Sequence, residues 1–119
     1  MKLNNNIAWT VDGKIINKTK YKEAMKKITA ATFKEEGSLN HEWYVAEDLE
    51  SIHIYERYQD ADAALAHLKV WSQFATLFLE DATLDSFKVY GNVTPELKNA
   101  VSGATIIMSR YGGFVKSFQ

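Results

Sequence analysis

Cysteine is absent from the 119 residues of this chain. Disulfides, thiolate metal ligands and cysteine nucleophiles are therefore excluded, and redox chemistry by the side chains themselves is not expected. The absence of cysteine suits a reducing compartment. We therefore expect a cytoplasmic protein.

Long apolar runs and blocks of one charge are also missing. Nowhere do about eighteen apolar residues follow one another, and the amino-terminal segment turns polar at residues 4–6. Fourteen Lys and Arg residues against fifteen Asp and Glu residues give a formal net charge of -1, with no basic block to follow a phosphate backbone. We expect neither a signal peptide nor a membrane or nucleic-acid partner.

Several catalytic motifs have no counterpart in the sequence. It contains no glycine-rich phosphate loop after a strand, no G-x-S-x-G motif and no dinucleotide fingerprint. The three histidines do not follow a metal-ligand spacing. We predict no metal and no cofactor.

Hydrophobic residues make up 46% of the chain, which is enough for one compact domain over residues 1–119. The hydrophobic periodicity predicts strand, helix, strand, strand, helix, strand, followed by a brief helix and a last extended segment. The predicted strands are residues 7–11, 39–45, 51–58 and 84–93, and the last extended segment is residues 105–108 with 114–115, broken by Gly112-Gly113. Asp60 and Thr94 are predicted helix caps, and Gly37 a helix end. This order predicts an α+β, ferredoxin-like βαββαβ fold with an antiparallel sheet and an extra C-terminal helix and strand.

The hairpin of the second and third strands predicts which residues share a face of the sheet. If Val45 pairs with Ser51, Glu42 and Tyr44 lie on the same face as Ile54, Glu56 and Tyr58. The opposite face then carries an aromatic and histidine patch that a monomer would expose, formed by His41, Trp43, His53 and Tyr55. We therefore predict a homodimer through this sheet face.

Four stretches resemble a known family: EEGSLNHEWYVAED, IHIYERYQDADAALAHL, FKVYGNVTPELKNAV and GGF. Together they look like the antibiotic biosynthesis monooxygenase (ABM) superfamily, over roughly residues 7–114. The resemblance implies a dimeric α+β barrel with a pocket between the helices and the sheet of each protomer. It also implies an activity among those of the superfamily, which includes cofactor-free oxygenases of quinols and polycyclic phenols and haem-degrading enzymes.

The family pattern fits this chain in part. The strand-end Trp of the oxygenases falls on Tyr58, and the Asn four residues earlier falls on Ile54, so the chain departs at both positions. The late-helix histidine of the haem-degrading branch has no counterpart in VWSQFATLFLEDA. We do not expect haem degradation.

His67 is the first candidate catalytic residue. It shares a helix side with Trp71, Phe74 and Phe78, where a neutral imidazole could take a proton from a bound phenol. The alternative is a core histidine whose nitrogens bond to the backbone or to a strand residue.

Glu42 and Glu56 form a second candidate group. A carboxylate in an apolar pocket can act as a base or orient a histidine. Alternatively, both are structural carboxylates bonded to tyrosine or to basic side chains.

Aromatic side chains form a third group, because Trp9, Tyr44, Tyr58 and Trp71 could stack on a flat aromatic substrate. Core packing is the alternative interpretation. We predict His67, Glu56 and Tyr58 as catalytic residues and the following as substrate-binding residues: Trp9, Glu42, Tyr44, Ile54, Trp71 and Phe74. The predicted function is cofactor-independent monooxygenation of a quinol or other electron-rich aromatic, and the alternative is a non-catalytic dimeric barrel that binds a small molecule.

Overall fold

A computed structural model describes residues 4–116 of the chain. The elements in chain order are β1 (Ile7–Ile15), α1 (Lys18–Phe33), β2 (Ser38–Val45), β3 (Ser51–Tyr58), α2 (Ala61–Trp71), α3 (Ala75–Asp81), β4 (Ala82–Gly91), α4 (Pro95–Ala100) and β5 (Ile106–Met108). The sheet has the order β2-β3-β1-β4-β5, with β4 and β5 parallel and the other neighbours antiparallel. The predicted ferredoxin-like α+β fold with an added helix and strand is confirmed.

The second predicted helix is interrupted after Trp71. Ser72 donates its hydroxyl to the Lys69 carbonyl at 2.7 Å, and the Phe74 N–H bonds to the Trp71 carbonyl at 2.8 Å. A serine that bonds to the preceding turn competes with the helix ladder. The apolar stripe therefore continues across two short helices, α2 and α3.

Gly13 and Gly37 allow close packing of neighbouring elements at positions where the sequence predicted the end of a strand and the end of a helix. A Cβ on Gly13 would lie 1.9 Å from the Thr83 carbonyl oxygen, so β1 continues through a bulge against β4. A Cβ on Gly37 would lie 2.3 Å from the Ala63 Cβ. Gly37 thus brings the start of β2 against α2, while α1 ends earlier, at Phe33.

The predicted caps are present. The Asp60 carboxylate accepts from the Ala63 N–H at 2.9 Å, and the Thr94 hydroxyl accepts from the Leu97 N–H at 3.2 Å. Both side chains satisfy backbone donors that a helix start leaves free. α2 and α4 therefore begin where the sequence indicates.

The hairpin register differs from the prediction by one residue, because Val45 pairs with Ile52. The Ala46 N–H bonds to the Ser51 carbonyl at 2.9 Å, and the Asp48 carboxylate accepts from the Glu50 and Ser51 N–H groups, both at 2.8 Å. A shift of one residue turns every side chain of a strand to the other face. The predicted faces of β2 are therefore wrong.

The side of the sheet that faces the helices, here called the inner face, holds two buried clusters. One contains Ile7, Trp9, Tyr58, Val89 and Leu97, and the other contains Tyr21, Ile28, Ile52, Ile54 and Phe78. Residues of both clusters line a single cavity. The fold thus places an open space between two parts of its core.

The opposite side of the sheet, here called the outer face, is more polar than the sequence predicted. Because of the register, His41 and Trp43 lie on the inner face and not on this one. Hydrogen bonds between side chains join Thr10 with Tyr90 and Arg57 with Tyr55 on the outer face. A homodimer through this face stays a prediction.

Candidate functional site

The cavity of the inner face has a volume of ≈ 560 Å³, within the size range of small-molecule pockets. Most of its lining is apolar or aromatic and includes Trp9, Val11, Trp43, Ile54, Trp71, Phe78 and Phe87. His41, Glu56 and His67 add ionisable groups to this lining. An apolar pocket with a few convergent polar groups is the usual form of a binding or active site.

His67 lies between two carboxylates. Its Nδ1 is 3.1 Å from both carboxylate oxygens of Glu35, and its Nε2 is 3.2 Å from Glu56 Oε1. Burial alone would lower the pKa of His67, but the contacts with Glu56 and Glu35 outweigh it and raise this pKa above the ordinary value of 6.5. An imidazolium with both nitrogens directed at carboxylates has no free lone pair for a substrate proton.

Three groups converge on Oε1 of Glu56, a residue that is 6% exposed. The Tyr58 hydroxyl donates to this atom at 2.5 Å, and the nearest nitrogens of His67 and His41 lie 3.2 and 3.3 Å away. Burial alone would raise the pKa of Glu56, but the two imidazoles hold it well below its ordinary value. Glu56 is therefore a stable carboxylate that compensates positive charge, and a weak base.

Tyr58 lies behind Glu56, outside the cavity lining. Its ring is fully buried and packs against Trp9 and His67 with centroid separations of 4.7 and 5.0 Å. Burial, and then the charge of Glu56, raise the pKa of Tyr58. The phenol stays protonated and fixes the carboxylate by donating to it.

His41 completes the ionisable group, here called the inner-face cluster: His41, Glu56, Tyr58, His67 and Glu35. The His41 side chain is 10% exposed, and its Nδ1 lies 3.3 Å from Glu56 Oε1 without forming a hydrogen bond. Within residues 4–116, both ring nitrogens of His41 are buried and have no hydrogen-bond partner. The same is true of Trp43 Nε1.

The structure divides the predicted site residues into three sets. His67, Glu56, Trp9, Ile54 and Trp71 line the cavity. Tyr58 contacts the cluster from behind, and Phe74 packs against the core without lining the cavity.

The prediction that Glu42 and Tyr44 line the pocket is wrong. Both side chains are exposed on the outer face, where the Tyr44 hydroxyl donates to the Glu42 carboxylate. Because the register differs by one residue, His41 and Trp43 take the positions on the inner face that were predicted for Glu42 and Tyr44. His41, which the sequence placed at a dimer interface, belongs to the inner-face cluster instead.

Glu35 was missed as a site residue although it belongs to the EEG stretch that carries the resemblance. It contacts His67 across 32 positions of sequence, a proximity that local periodicity does not reveal. The preference of buried histidines for a carboxylate partner was the available signal.

A family model described as antibiotic biosynthesis monooxygenase (ABM) matches residues 16–70. The resemblance to the ABM family is confirmed. The match extends from the end of β1 to α2 and includes all five residues of the inner-face cluster. No curated protein sequence matches the chain significantly.

Solved structures with the same fold agree with the ABM match. MupZ from Pseudomonas fluorescens superposes with a TM-score of 0.84 at 18% identity, covering 98% of this chain and 93% of MupZ. SnoaB from Streptomyces nogalater, a cofactor-independent oxygenase, superposes with a TM-score of 0.66 at 13% identity, covering 76% of this chain and 95% of SnoaB. A conserved protein of unknown function from Bacteroides thetaiotaomicron has a TM-score of 0.62 at 26% identity, covering 72% of this chain and 96% of its own. At these identities, the likeness to MupZ and SnoaB establishes the fold.

Between residues 4 and 116, none of the helices has the length and apolar character needed to cross a bilayer. Over the same residues, no three His, Cys, Asp or Glu side chains are placed to hold a metal ion together.

Proposed function

We propose that the chain is a cofactor-independent monooxygenase that acts on a quinol or another electron-rich hydroxyarene. The observation that carries the proposal is the buried histidine–carboxylate cluster that opens on a mostly apolar cavity. The ABM match supports the choice of oxygen chemistry over other reactions that need proton transfer.

The reaction begins with loss of the phenolic proton to the inner-face cluster. The phenolate passes one electron to O₂, and the resulting radical pair forms a carbon–oxygen bond. Loss of water from the hydroperoxide leaves a carbonyl, so one oxygen atom enters the product and the other enters water. The substrate supplies all the electrons, and hence no cofactor is required.

The contribution of the protein is proton removal, orientation and exclusion of water. Trp9 and Trp71 present aromatic surface in the cavity and would orient a flat ring. His67, held positive between its carboxylates, would favour the anionic form of a bound substrate. Tyr58 would keep Glu56 in place during the proton transfer.

A homodimer through the outer face is part of the proposal. Tyr44 is 50% exposed on β2, and an exposed aromatic side chain on this face favours contact with a second copy. Sedimentation should therefore give a dimer, and Tyr44→Glu should shift it toward monomer, whereas Glu80→Lys on α3 should not. A monomeric wild type would contradict the dimer.

A second candidate function is non-catalytic binding of a small aromatic molecule. The observation in its favour is that Ile54, an apolar residue, lines the cavity where the resembling oxygenases carry a polar Asn. A binding protein would retain the cavity and its affinity for aromatics without turnover.

Oxygen uptake by metal-stripped protein separates the two candidates. We expect uptake above the autoxidation blank with at least one member of a panel of quinols and hydroxynaphthalenes. His67→Ala should reduce the rate by about 10²-fold or more, as expected for loss of proton-transfer machinery. Glu80→Ala, an exposed position of α3 outside the cavity lining, should leave the rate unchanged within about twofold. Binding without uptake over the whole panel would favour the second candidate.

A further inference from the structure

We propose that Glu35 is a positioning residue that makes His67 an acid toward the cavity. The Glu35 carboxylate keeps one proton on Nδ1 of His67, and the proton on Nε2 is the one that His67 gives to the peroxide anion formed from the substrate and O₂. This inference rests on the proposed function. It adds the role of Glu35 and the donor of this proton, neither of which the proposed function assigns.

Glu35 holds the imidazole ring of His67 from outside the cavity. Both oxygens of its carboxylate lie 3.1 Å from Nδ1 and meet the geometry of a hydrogen bond. The side chain of Glu35 is 15% exposed, against 4% for that of His67, and His67 lines the cavity whereas Glu35 does not. A carboxylate that accepts from one ring nitrogen keeps the proton on that nitrogen. Nδ1 is therefore committed to Glu35.

Nε2 is the nitrogen of His67 that a ligand can contact. Oε1 of Glu56 lies 3.2 Å from it, but the hydrogen bond that this oxygen accepts comes from Tyr58. Within residues 4–116, the ring nitrogens that are closed to solvent and have no hydrogen-bond partner belong to His41 and Trp43. Nε2 of His67 is not one of them, although the hydrogen bonds of this ring are made by Nδ1. Nε2 therefore keeps accessible surface, on a ring that lines the cavity.

Four ionisable groups face His67 and together keep it protonated. Glu35 belongs to the segment between α1 and β2, Glu56 and Tyr58 belong to β3, and His41 belongs to β2. Burial opposes the charge of His67, but the contacts with Glu56 and Glu35 outweigh burial and hold its pKa above 6.5. An imidazolium carries a proton on each nitrogen. The proton available to a ligand is the one on Nε2.

Aromatic packing fixes the direction of the Nε2–H bond. The ring centroids of Tyr58 and Trp9 lie 5.0 and 6.1 Å from that of His67, and both aromatic side chains are buried. Rotation of the imidazole would also break the bonds to Glu35. A donor that is held in place before negative charge develops needs no reorganisation during the reaction.

The proton transfers are balanced over one turnover. The inner-face cluster takes the phenolic proton, and the radical pair forms a carbon–oxygen bond that leaves a peroxide anion. The Nε2–H bond of His67 then breaks and an O–H bond forms, so the anion becomes the hydroperoxide and the electron pair stays on Nε2. When the hydroperoxide loses hydroxide, Nε2 takes the proton of the same carbon, and the hydroxide leaves with the phenolic proton as water. Glu35 keeps the Nδ1 proton throughout.

The test compares two adjacent glutamates between α1 and β2. Glu35→Gln keeps the length of the side chain and an oxygen that can accept from Nδ1, but it removes the charge. Glu36→Gln makes the same change at an exposed neighbour, while Glu35→Asp keeps the charge on a shorter side chain. NMR of protein labelled with ¹⁵N-histidine gives the midpoint of the His67 titration and, above this midpoint, the nitrogen that keeps the proton.

In the wild type we expect a midpoint above 6.5 and, at higher pH, a neutral ring with its proton on Nδ1. Glu35→Gln should lower the midpoint by about one pH unit or more, since an opposite charge is lost. Glu36→Gln should leave it unchanged, and Glu35→Asp should restore part of the difference. An equal midpoint in the wild type and Glu35→Gln, or a neutral wild-type ring protonated on Nε2, would overturn the role of Glu35.

Oxygen uptake with the best hydroxyarene of the panel tests the acid step. The kcat of the wild type should fall as pH rises through the midpoint of His67, because Nε2 loses its proton. In Glu35→Gln this fall should move to lower pH by the same interval as the midpoint, and the rate should approach that of the wild type below it. A merely structural role of Glu35 would lower the rate alike at every pH. A profile that stays in place while the midpoint moves would overturn the acid role of His67.

The NMR titration needs no substrate, so failure of this inference can be told apart from failure of the oxygenase proposal. No uptake over the whole panel, together with a lowered midpoint in Glu35→Gln, would overturn the oxygenase proposal and the peroxide step. It would leave the positioning of His67 by Glu35 standing.

Discussion

The two faces of the sheet carry the same residue types in different surroundings. On the inner face, His67, Glu56 and Tyr58 are buried and in contact with one another. On the outer face, His53 bonds to Asp12 at 2.6 Å, and their side chains are 44% and 43% exposed. The comparison shows that residue type alone does not distinguish a candidate site from a surface ion pair.

The degree of burial accounts for the different behaviour of the histidine–carboxylate contacts on the two faces. Within one protomer, the His53–Asp12 pair is open to solvent, so water screens its charges and its net contribution to the stability of the protomer is small. On the inner face, each charge depends on its neighbours, because burial keeps bulk water from screening it. The inner-face cluster is also directed at a cavity, and only there can the charges act on a ligand.

The largest expected difference between the faces concerns the acidic residues. Glu56→Ala should lower the free energy of unfolding by about 3–5 kcal/mol, because it leaves buried histidines and the Tyr58 hydroxyl without their partner. Asp12→Ala should cost no more than about 1 kcal/mol. Urea unfolding of both variants measures the difference, and equal losses would contradict the contrast between the faces.

The tyrosines should show a smaller difference. Tyr58→Phe removes a buried hydrogen bond to a charged group and should cost about 1.5–3 kcal/mol. Tyr44→Phe removes an exposed bond to Glu42 and should change stability by less than about 0.5 kcal/mol. Thermal or urea unfolding tests the pair, and a Tyr44→Phe effect as large as that of Tyr58→Phe would be inconsistent with the burial argument.

The pH dependence of stability sharpens the description of the inner face. Because the pKa of His67 is raised above 6.5, its stabilising effect is fully present below that pH and is lost as pH rises through the folded-state value. Because the pKa of Glu56 is lowered below 4.5, its effect is present above that pH and is lost in stronger acid. The cluster should therefore stabilise the fold most between these two values.

His67→Gln provides the measurement. The stability difference between wild type and this variant should shrink as pH rises above neutrality, and the NMR titration of His67 should have its midpoint above 6.5. A midpoint below that value would show that burial dominates and that His67 is neutral at rest.

Most of the fold could be predicted from local sequence patterns. The caps at Asp60 and Thr94 and the element order are consequences of short-range chemistry, and the structure confirms them. The helix interruption at Ser72 was not predicted, because the apolar stripe continues past it. Helix periodicity was also enough to place His67 and Trp71 on the inward side of α2.

Only part of the site could be predicted, because a shift of one residue in strand pairing turns every side chain of β2 to the other face. Asp48 fixes a loop that pairs Val45 with Ile52, and no pattern within β2 shows which of its polar faces turns inward. His41 and Trp43 were therefore assigned to the wrong face. The contact of Glu35 with His67 is a tertiary one and has no local signal.

The most direct test of the oxygenase proposal is product labelling under ¹⁸O₂ with the best hydroxyarene of the uptake panel. We expect the wild type to place one labelled atom in the product and one in water. Glu56→Gln should lose the enzyme-dependent rate, whereas Asp12→Asn on the outer face should keep it. No labelled product above the blank, or equal labelling by the wild type and Glu56→Gln, would contradict a role for the inner-face cluster in oxygenation.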